Sequence, residues 1–127
     1  MIIGRCEADN LIANSAHPLT AQTVVVKSGE GELKRGSVLM RDSSDKFVML
    51  SSIARTAGAT AEVVLARDTD ATDADTVAEV YNSGDFNTNA LLVAEGSELT
   101  ETDVKNLKDA GIYLTESVIL SSILPMG

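Results

Sequence analysis

The chain has 127 residues, the size of one domain that is large enough to bury a hydrophobic core. Its 19 acidic residues outnumber its 10 basic residues, and the formal net charge is -9. A surface of this sign repels phosphate backbones, so we expect no direct binding to nucleic acid. The single cysteine, Cys6, excludes an intrachain disulfide and a thiolate metal cluster.

Residues 1–20 predict an extended N-terminal arm, ahead of a single β-rich domain over residues 21–127. Small and polar residues dominate the arm, and Pro18 favours an extended backbone before it. We expect the arm to be poorly ordered until it binds a partner.

Residues 1–5 become polar too early for a signal sequence, and no run approaches the ~20 apolar residues of a membrane span. We therefore expect a soluble protein, intracellular at synthesis, with no membrane partner.

Apolar runs separated by turn residues predict the strands of the domain. The runs are residues 23–27, 38–40, 47–50, 63–66, 77–81 and 90–94. The turns between them are residues 28–32, residues 42–45, an acidic hinge over residues 68–75 and the segment over residues 82–87. Residues 51–60 are ambiguous: alanines would tolerate a helix, but Gly58 and the serine and threonine content favour a loop.

Most of these runs are continuous rather than alternating, as Val24, Val25 and Val26 illustrate. Continuous apolar runs indicate strands that are covered on both faces. With one helix available as cover, we expect another copy of the chain to supply part of it. The pattern therefore predicts a homo-oligomer.

One short helix is predicted over residues 101–110. Thr100 stands at the N-cap, and Asp103 takes the place of the usual Glu or Gln of a capping box. Gly111 follows as the stop, and an apolar segment over residues 118–124 closes the chain. The predicted fold class is α+β and mainly β: a small compact β-rich domain with this helix and the extended arm.

The acidic hinge imitates a calcium-binding loop only in part. Ligand positions of the EF-hand pattern match Asp68, Asp70, Thr72 and Glu79. Asp73 stands where that loop requires glycine, and β-prone runs rather than helices flank the hinge. We interpret the hinge as a solvated turn between strands and predict no metal site.

No residue pattern indicates an enzyme. His17 is the sole histidine, and one imidazole cannot build a metal site of the His or Cys type. The chain has no Gly-x-Ser-x-Gly elbow, no phosphate loop with a lysine and no Gly-x-Gly-x-x-Gly that opens a helix. We predict no catalytic activity and no cofactor.

Several motifs follow one another along almost the whole chain. They are residues 10–12, 17–19, 24–30, 33–39, 63–72, 80–91 and 107–114, and Gly84-Asp85-Phe86-Asn87 is among them. In this order they resemble the head decoration proteins of lambda-type bacteriophages. The chain departs from that family in having no proline shortly before Val63 and in its tail, residues 121–127.

The resemblance implies a mainly β fold that assembles as a homotrimer. Such trimers bind the major capsid protein on the outer surface of the expanded head, at three-fold and quasi-three-fold positions, and resist the pressure of packaged DNA. In this family the N-terminal arm becomes ordered on the shell, commonly by pairing with capsid strands. Carried onto this sequence, the candidate capsid contacts are Asn10, Leu11, Ile12, His17, Pro18 and Leu19. The protein is then expected in the virion of a phage or prophage, made in the host cytoplasm.

A second hypothesis is a small acidic binding module unrelated to capsids. It would hold calcium or a basic protein partner with the carboxylates of the acidic hinge, residues 68–75. The mass in solution separates the two hypotheses, because capsid cement of this kind is expected to be a trimer.

Overall fold

A computed structural model of the protein describes residues 11–12 and 18–115. Strands dominate these residues, so the mainly β prediction is confirmed. The strands are β1 (Thr20–Val26), β2 (Gly31–Leu33), β3 (Val38–Arg41), β4 (Phe47–Met49), β5 (Thr60–Leu65), β6 (Thr69–Ala71), β7 (Thr76–Asn87) and β8 (Ile112–Thr115). The helices are α1 (Ser52–Thr56) and α2 (Glu101–Ala110), and a 3-10 turn spans Thr88–Ala90. The predicted closing segment and the tail lie outside the described residues.

Five of the strands close into a barrel. Their order is β1–β4–β3–β5–β7, and β7 pairs back with β1. All of these pairs are antiparallel except β1 with β4. Closure leaves the five strands without the exposed edges of an open sheet. Strands β2 and β6 form a separate ribbon, and β8 pairs in parallel with the C-terminal end of β7.

Alternate side chains of the barrel strands fill its interior. Successive residues of a strand point to opposite faces, so cross-strand partners share a face. Leu39 lies opposite both Met49 and Val63 in this way, and Val24 lies opposite Ala78. The buried residues of the interior are Val26, Leu33, Leu39, Phe47, Val63, Leu65, Ala71, Ala78 and Val80.

The other side chains form a second core on the outside of the barrel. Val38, Met40 and Val64 point outward and are fully buried there. Their cover comes from helix α2, strand β8, residues 88–99 and the short N-terminal segment that includes Leu11. Strands β3 and β5 are therefore covered on both faces within one chain, and they need no second copy as cover. The equally continuous run of β1 is not covered in this way, since Val25 is 37% exposed, and self-association stays a prediction.

Helix α2 has the predicted bounds and caps. The Thr100 backbone N–H donates to Asp103 Oδ2 at 3.0 Å, and the Asp103 N–H donates to Thr100 Oγ1 at 3.2 Å. These reciprocal bonds form a capping box. Gly111 ends the helix in the left-handed region, with φ of 111°.

No helix within residues 11–12 and 18–115 is long and apolar enough to cross a membrane.

Residues 51–60 contain helix α1, so the expected loop is wrong there. The Ser51 side chain caps the helix by accepting a hydrogen bond from the Ala54 N–H at 3.0 Å. Arg55 then reaches helix α2, where its Nη2 lies 2.6 Å from Asp103 Oδ2. No residue of α1 is fully buried, so this long-range ion pair and the cap hold a helix that the local sequence does not specify.

The turn predicted over residues 82–87 is also wrong, because β7 continues to Asn87. Gly84 has φ of +142°, and a Cβ added there would lie 2.7 Å from Leu19 Cδ1. At this residue β7 exchanges its neighbour β1 for β8. The glycine that looks like a turn residue in the sequence therefore allows a close approach inside a long strand.

Two further segments differ from the sequence prediction. The acidic hinge contains strand β6, which forms because its backbone pairs with β2. The apolar run over residues 90–94 is not a strand. Instead, it follows the 3-10 turn, and Leu92 makes an isolated bridge to Ser37.

Candidate functional site

The first described residues are anchored in the body. Leu11 is 1% exposed, and its carbonyl oxygen accepts a hydrogen bond from the Asn87 N–H at 2.9 Å. Ile12 forms an antiparallel bridge with Phe86 and packs against the outer core. This pair therefore adds a short extended segment to the C-terminal half of β7.

Residues 18–20 are held by the same half of β7. The Ser83 hydroxyl donates to the Pro18 carbonyl oxygen at 2.8 Å, and the Thr20 hydroxyl donates to Asn82 Oδ1 at 2.7 Å. Leu19 packs over Gly84 but remains 44% exposed. The polar pair beside a glycine inside an apolar strand is the sequence signal for this anchor, and the turn prediction obscured it.

The predicted capsid contacts thus fall into three groups. The Leu11 side chain is used within the chain, and Ile12 is partly buried. Pro18 and Leu19 are exposed beside β7. Asn10 and His17 lie outside the described residues. Contact of any of these residues with a capsid stays a prediction, as does the boundary of the arm at residue 20.

The carboxylates of the acidic hinge have separate partners. Asp68 accepts a hydrogen bond from the Arg35 backbone N–H at 2.8 Å, and Asp75 accepts one from the Ser28 N–H at 2.9 Å. Asp75 also lies 2.6 Å from Lys46 Nζ. The hydrogen bond from this ammonium lowers the pKa of Asp75, and the Ser28 N–H lowers it further.

Asp70, in the same hinge, bonds to its own turn. The hydroxyl and the backbone N–H of Thr72 both donate to it, and together they lower its pKa. Among residues 11–12 and 18–115, no three His, Cys, Asp or Glu side chains come close enough together to hold a metal ion. The hinge is therefore a hydrogen-bonded ribbon in which Asp68, Asp70 and Asp75 each have separate partners.

The outer face of the barrel also has a part without cover. Ala21, Thr23 and Val25 of β1 alternate with the inward-pointing residues, and Val25 pairs with Val77 of β7. We call the surface formed by Ala21, Thr23, Val25 and Val77 the β1–β7 face. All four residues are exposed, and Val77 reaches 67%.

Asp103 links the two helices and is almost completely buried. Its carboxylate receives Arg55 Nη2 at 2.6 Å and Nε at 3.3 Å, in addition to the Thr100 N–H of the capping box. Burial raises the pKa of Asp103, but the hydrogen bonds from Arg55 and Thr100 outweigh it, and the net shift is downward. This cluster joins α1 to α2.

Comparison with known proteins matches the sequence to one protein family. The model of the family described as bacteriophage lambda head decoration protein D matches residues 1–112. The matched residues contain strands β1 to β7, both helices and all of the candidate contacts between Asn10 and Leu19. A comparison with curated proteins finds no match.

Proposed function

The chain belongs to the bacteriophage lambda head decoration protein D family, and from this premise we propose that it acts as a homotrimer at three-fold sites of the expanded capsid. A head decoration protein is a structural protein and not an enzyme, and it lies on the capsid surface of the virion. The hypothesis of a small acidic module unrelated to capsids is therefore wrong. The proposal concerns how the chain assembles and which part of it binds the capsid.

The observation that carries the proposal is the double anchoring of the N-terminal segment. The C-terminal half of β7 makes backbone or side-chain hydrogen bonds to two segments, residues 11–12 and residues 18–20, which lie before and after residues 13–17 in the sequence. Leu11 is fixed in the core beside β7. We infer that residues 1–10, together with Pro18 and Leu19, contact the capsid, whereas Leu11 anchors the segment.

Strand addition is the mode of contact that this arrangement favours. An extended segment gains main-chain hydrogen bonds along a sheet edge, and a few apolar side chains set its register. Leu11 and Ile12 already lie in this manner beside β7. We propose that Asn10 pairs with a capsid strand in the same manner.

Three weak contacts on one trimer would bind the shell firmly. Ordering an extended segment costs on the order of 1–2 kcal/mol per residue in backbone entropy, so a single segment binds weakly. Once the first segment is bound, the other two act at a high effective concentration. The proposed stabilisation of the capsid therefore depends on trivalency rather than on one deep pocket.

The test removes residues 1–10 and leaves Leu11 in place. We expect the truncated protein to keep its unfolding temperature and its mass by light scattering but to lose occupancy on purified expanded capsids. The matched control carries residues 1–10 in a shuffled order, which keeps length and composition but not register. It should bind as poorly as the truncation. A truncated chain that decorates capsids at full occupancy would contradict the proposed contact, and a monomeric wild-type chain would contradict the trimer.

A further inference from the structure

Helix α1 lies beside an apolar groove on the surface of the domain. The groove has a volume of about 290 Å³ and is open to solvent. Ile53, on its wall, is 82% exposed, the highest value among the exposed large apolar side chains of the described residues. We call this groove the α1 groove, and its apolar lining consists of Val48, Met49, Ile53, Ala54, Ala57 and Ala94.

The polar groups at the rim of the α1 groove are used within the body. Glu30 Oε1 accepts a hydrogen bond from the Met49 backbone N–H at 2.8 Å, and Ser51 Oγ accepts one from the Ala54 N–H at 3.0 Å. Burying a charged or polar group costs free energy unless it finds a hydrogen-bonding partner. The groove therefore favours an apolar occupant over a charged one.

We propose that the C-terminal segment of the same chain, residues 116–127, covers the α1 groove. Glu116 is the only charged residue of this segment. A cavity of about 150 Å³ holds one benzene molecule, so the α1 groove has room for about two apolar side chains. The segment offers five aliphatic residues for it: Val118, Ile119, Leu120, Ile123 and Leu124.

The described chain ends close to the path that leads to α1. Thr115, the last residue of β8, pairs with Asn87 of β7 at the usual strand separation of about 5 Å. From Asn87 the chain continues to Ala94, which lines the α1 groove and whose N–H donates to the Leu50 carbonyl oxygen at 3.0 Å. The seven residues between Asn87 and Ala94 span at most about 25 Å, so Thr115 lies within about 30 Å of Ala94.

The C-terminal segment is long enough to cover this distance. Ile123 and Leu124 follow Thr115 by eight and nine positions, and an extended chain of that length reaches about 30 Å. These two side chains also match the room in the groove, whereas Glu116 lies next to the end of β8 and need not enter it. The family match ends at residue 112, so this inference depends neither on the proposed trimer nor on the capsid.

The experiment measures how fast a thiol in the α1 groove reacts with an uncharged maleimide. Cys6→Ser removes the only native thiol, and Ala57→Cys or Ala110→Cys adds one to the full chain. Both alanines are exposed at the C-terminal end of a helix, so local effects on thiol reactivity are matched. We expect Ala57→Cys to react about tenfold more slowly than Ala110→Cys, because apolar side chains over the groove must leave first. Adding Leu124→Asp should remove this difference, whereas Ser117→Asp, which adds the same charge to the same segment, should keep it.

Three results would overturn the proposal. Equal rates for Ala57→Cys and Ala110→Cys would show that the α1 groove stays open. Slow labelling that persists with Leu124→Asp would assign the cover to another part of the chain. Protection that is lost on dilution, or a mass by light scattering that falls with Leu124→Asp, would assign it to a second copy.

Circular dichroism checks that each variant is folded, and Ile123→Asp repeats the test should Leu124→Asp unfold the chain. None of these results bears on the proposed capsid contact, which the removal of residues 1–10 tests separately.

Discussion

The covered and uncovered parts of the outer barrel face are built from similar residues. Val38 and Val64 on the covered part are fully buried, whereas Val25 and Val77 on the β1–β7 face are exposed. All four are valines on strands of the same barrel. The difference comes from the second half of the chain, because α2, β8 and residues 88–99 pack over one side of the barrel only. An apolar residue in a strand is thus a core residue on one side of the barrel and a solvent-exposed residue on the other.

Removing a large side chain from each part gives the largest expected contrast. Phe86 is fully buried in the outer core. We expect Phe86→Ala to lower the free energy of unfolding by about 3–5 kcal/mol, because it removes a buried ring and leaves a cavity. We expect Val77→Ala to change it by less than about 0.5 kcal/mol in the monomer.

Denaturant titration at one protein concentration measures both variants, because association adds to apparent stability. The mass of each variant is determined alongside, so that stability lost through dissociation is not mistaken for stability lost from the hydrophobic core. Equal losses for the two variants would mean that the β1–β7 face belongs to the core after all.

The helix pair on the covered side gives an intermediate effect. Asp103→Asn keeps the size of the side chain but removes the charge that holds Arg55 and completes the capping box. We expect a loss of about 1–3 kcal/mol, because a buried pair is broken while the arginine remains partly in solvent.

The same substitution should flatten the dependence of stability on pH. The folded pKa of Asp103 lies below its ordinary value, so its contribution is present above that value and is lost as the pH falls through the folded pKa. Wild type should therefore lose more stability than Asp103→Asn when the pH is lowered below about 4. Parallel losses in urea titrations at several pH values would contradict this role.

The smallest effect is expected at the ion pair between Arg67 and Glu79, where Glu79 lies opposite Thr23 of the β1–β7 face. The Arg67 side chain is 78% exposed and that of Glu79 is 43% exposed, so solvent screens their ion pair. Arg67→Ala should cost less than about 1 kcal/mol and should do so independently of salt above about 0.3 M. Arg67→Lys, which keeps the charge, serves as the control in the same thermal unfolding series. A larger loss would show that this ion pair also supports the fold.

Local signals were sufficient for helix α2 and for most strands. Thr100, Asp103 and Gly111 carry the caps in the sequence, and the structure places their bonds as predicted. Helix α1 and the course of β7 were not accessible in this way. The first depends on a contact between Arg55 and Asp103, which are 48 positions apart. The second depends on the close approach of Leu19 to Gly84.

The candidate site was only partly accessible to sequence reasoning. The N-terminal segment could be identified by its small and polar residues, by the extended backbone that Pro18 favours and by the family resemblance. Its division into an anchor at Leu11 and exposed residues at Pro18 and Leu19 required the structure. Leu11 and Leu19 are the same residue type in the same predicted arm, yet one is buried and the other is half exposed.

The sequence by itself determined the family, the mainly β class, the helix over residues 101–110 and the absence of an enzymatic motif. These properties follow from local spacing, composition and motif order, which are all present in the unfolded chain. Only the tertiary structure decided which apolar runs are covered by their own chain and which stay exposed. That outcome depends on where α2, β8 and residues 88–99 dock, and their docking is set by contacts between distant parts of the chain.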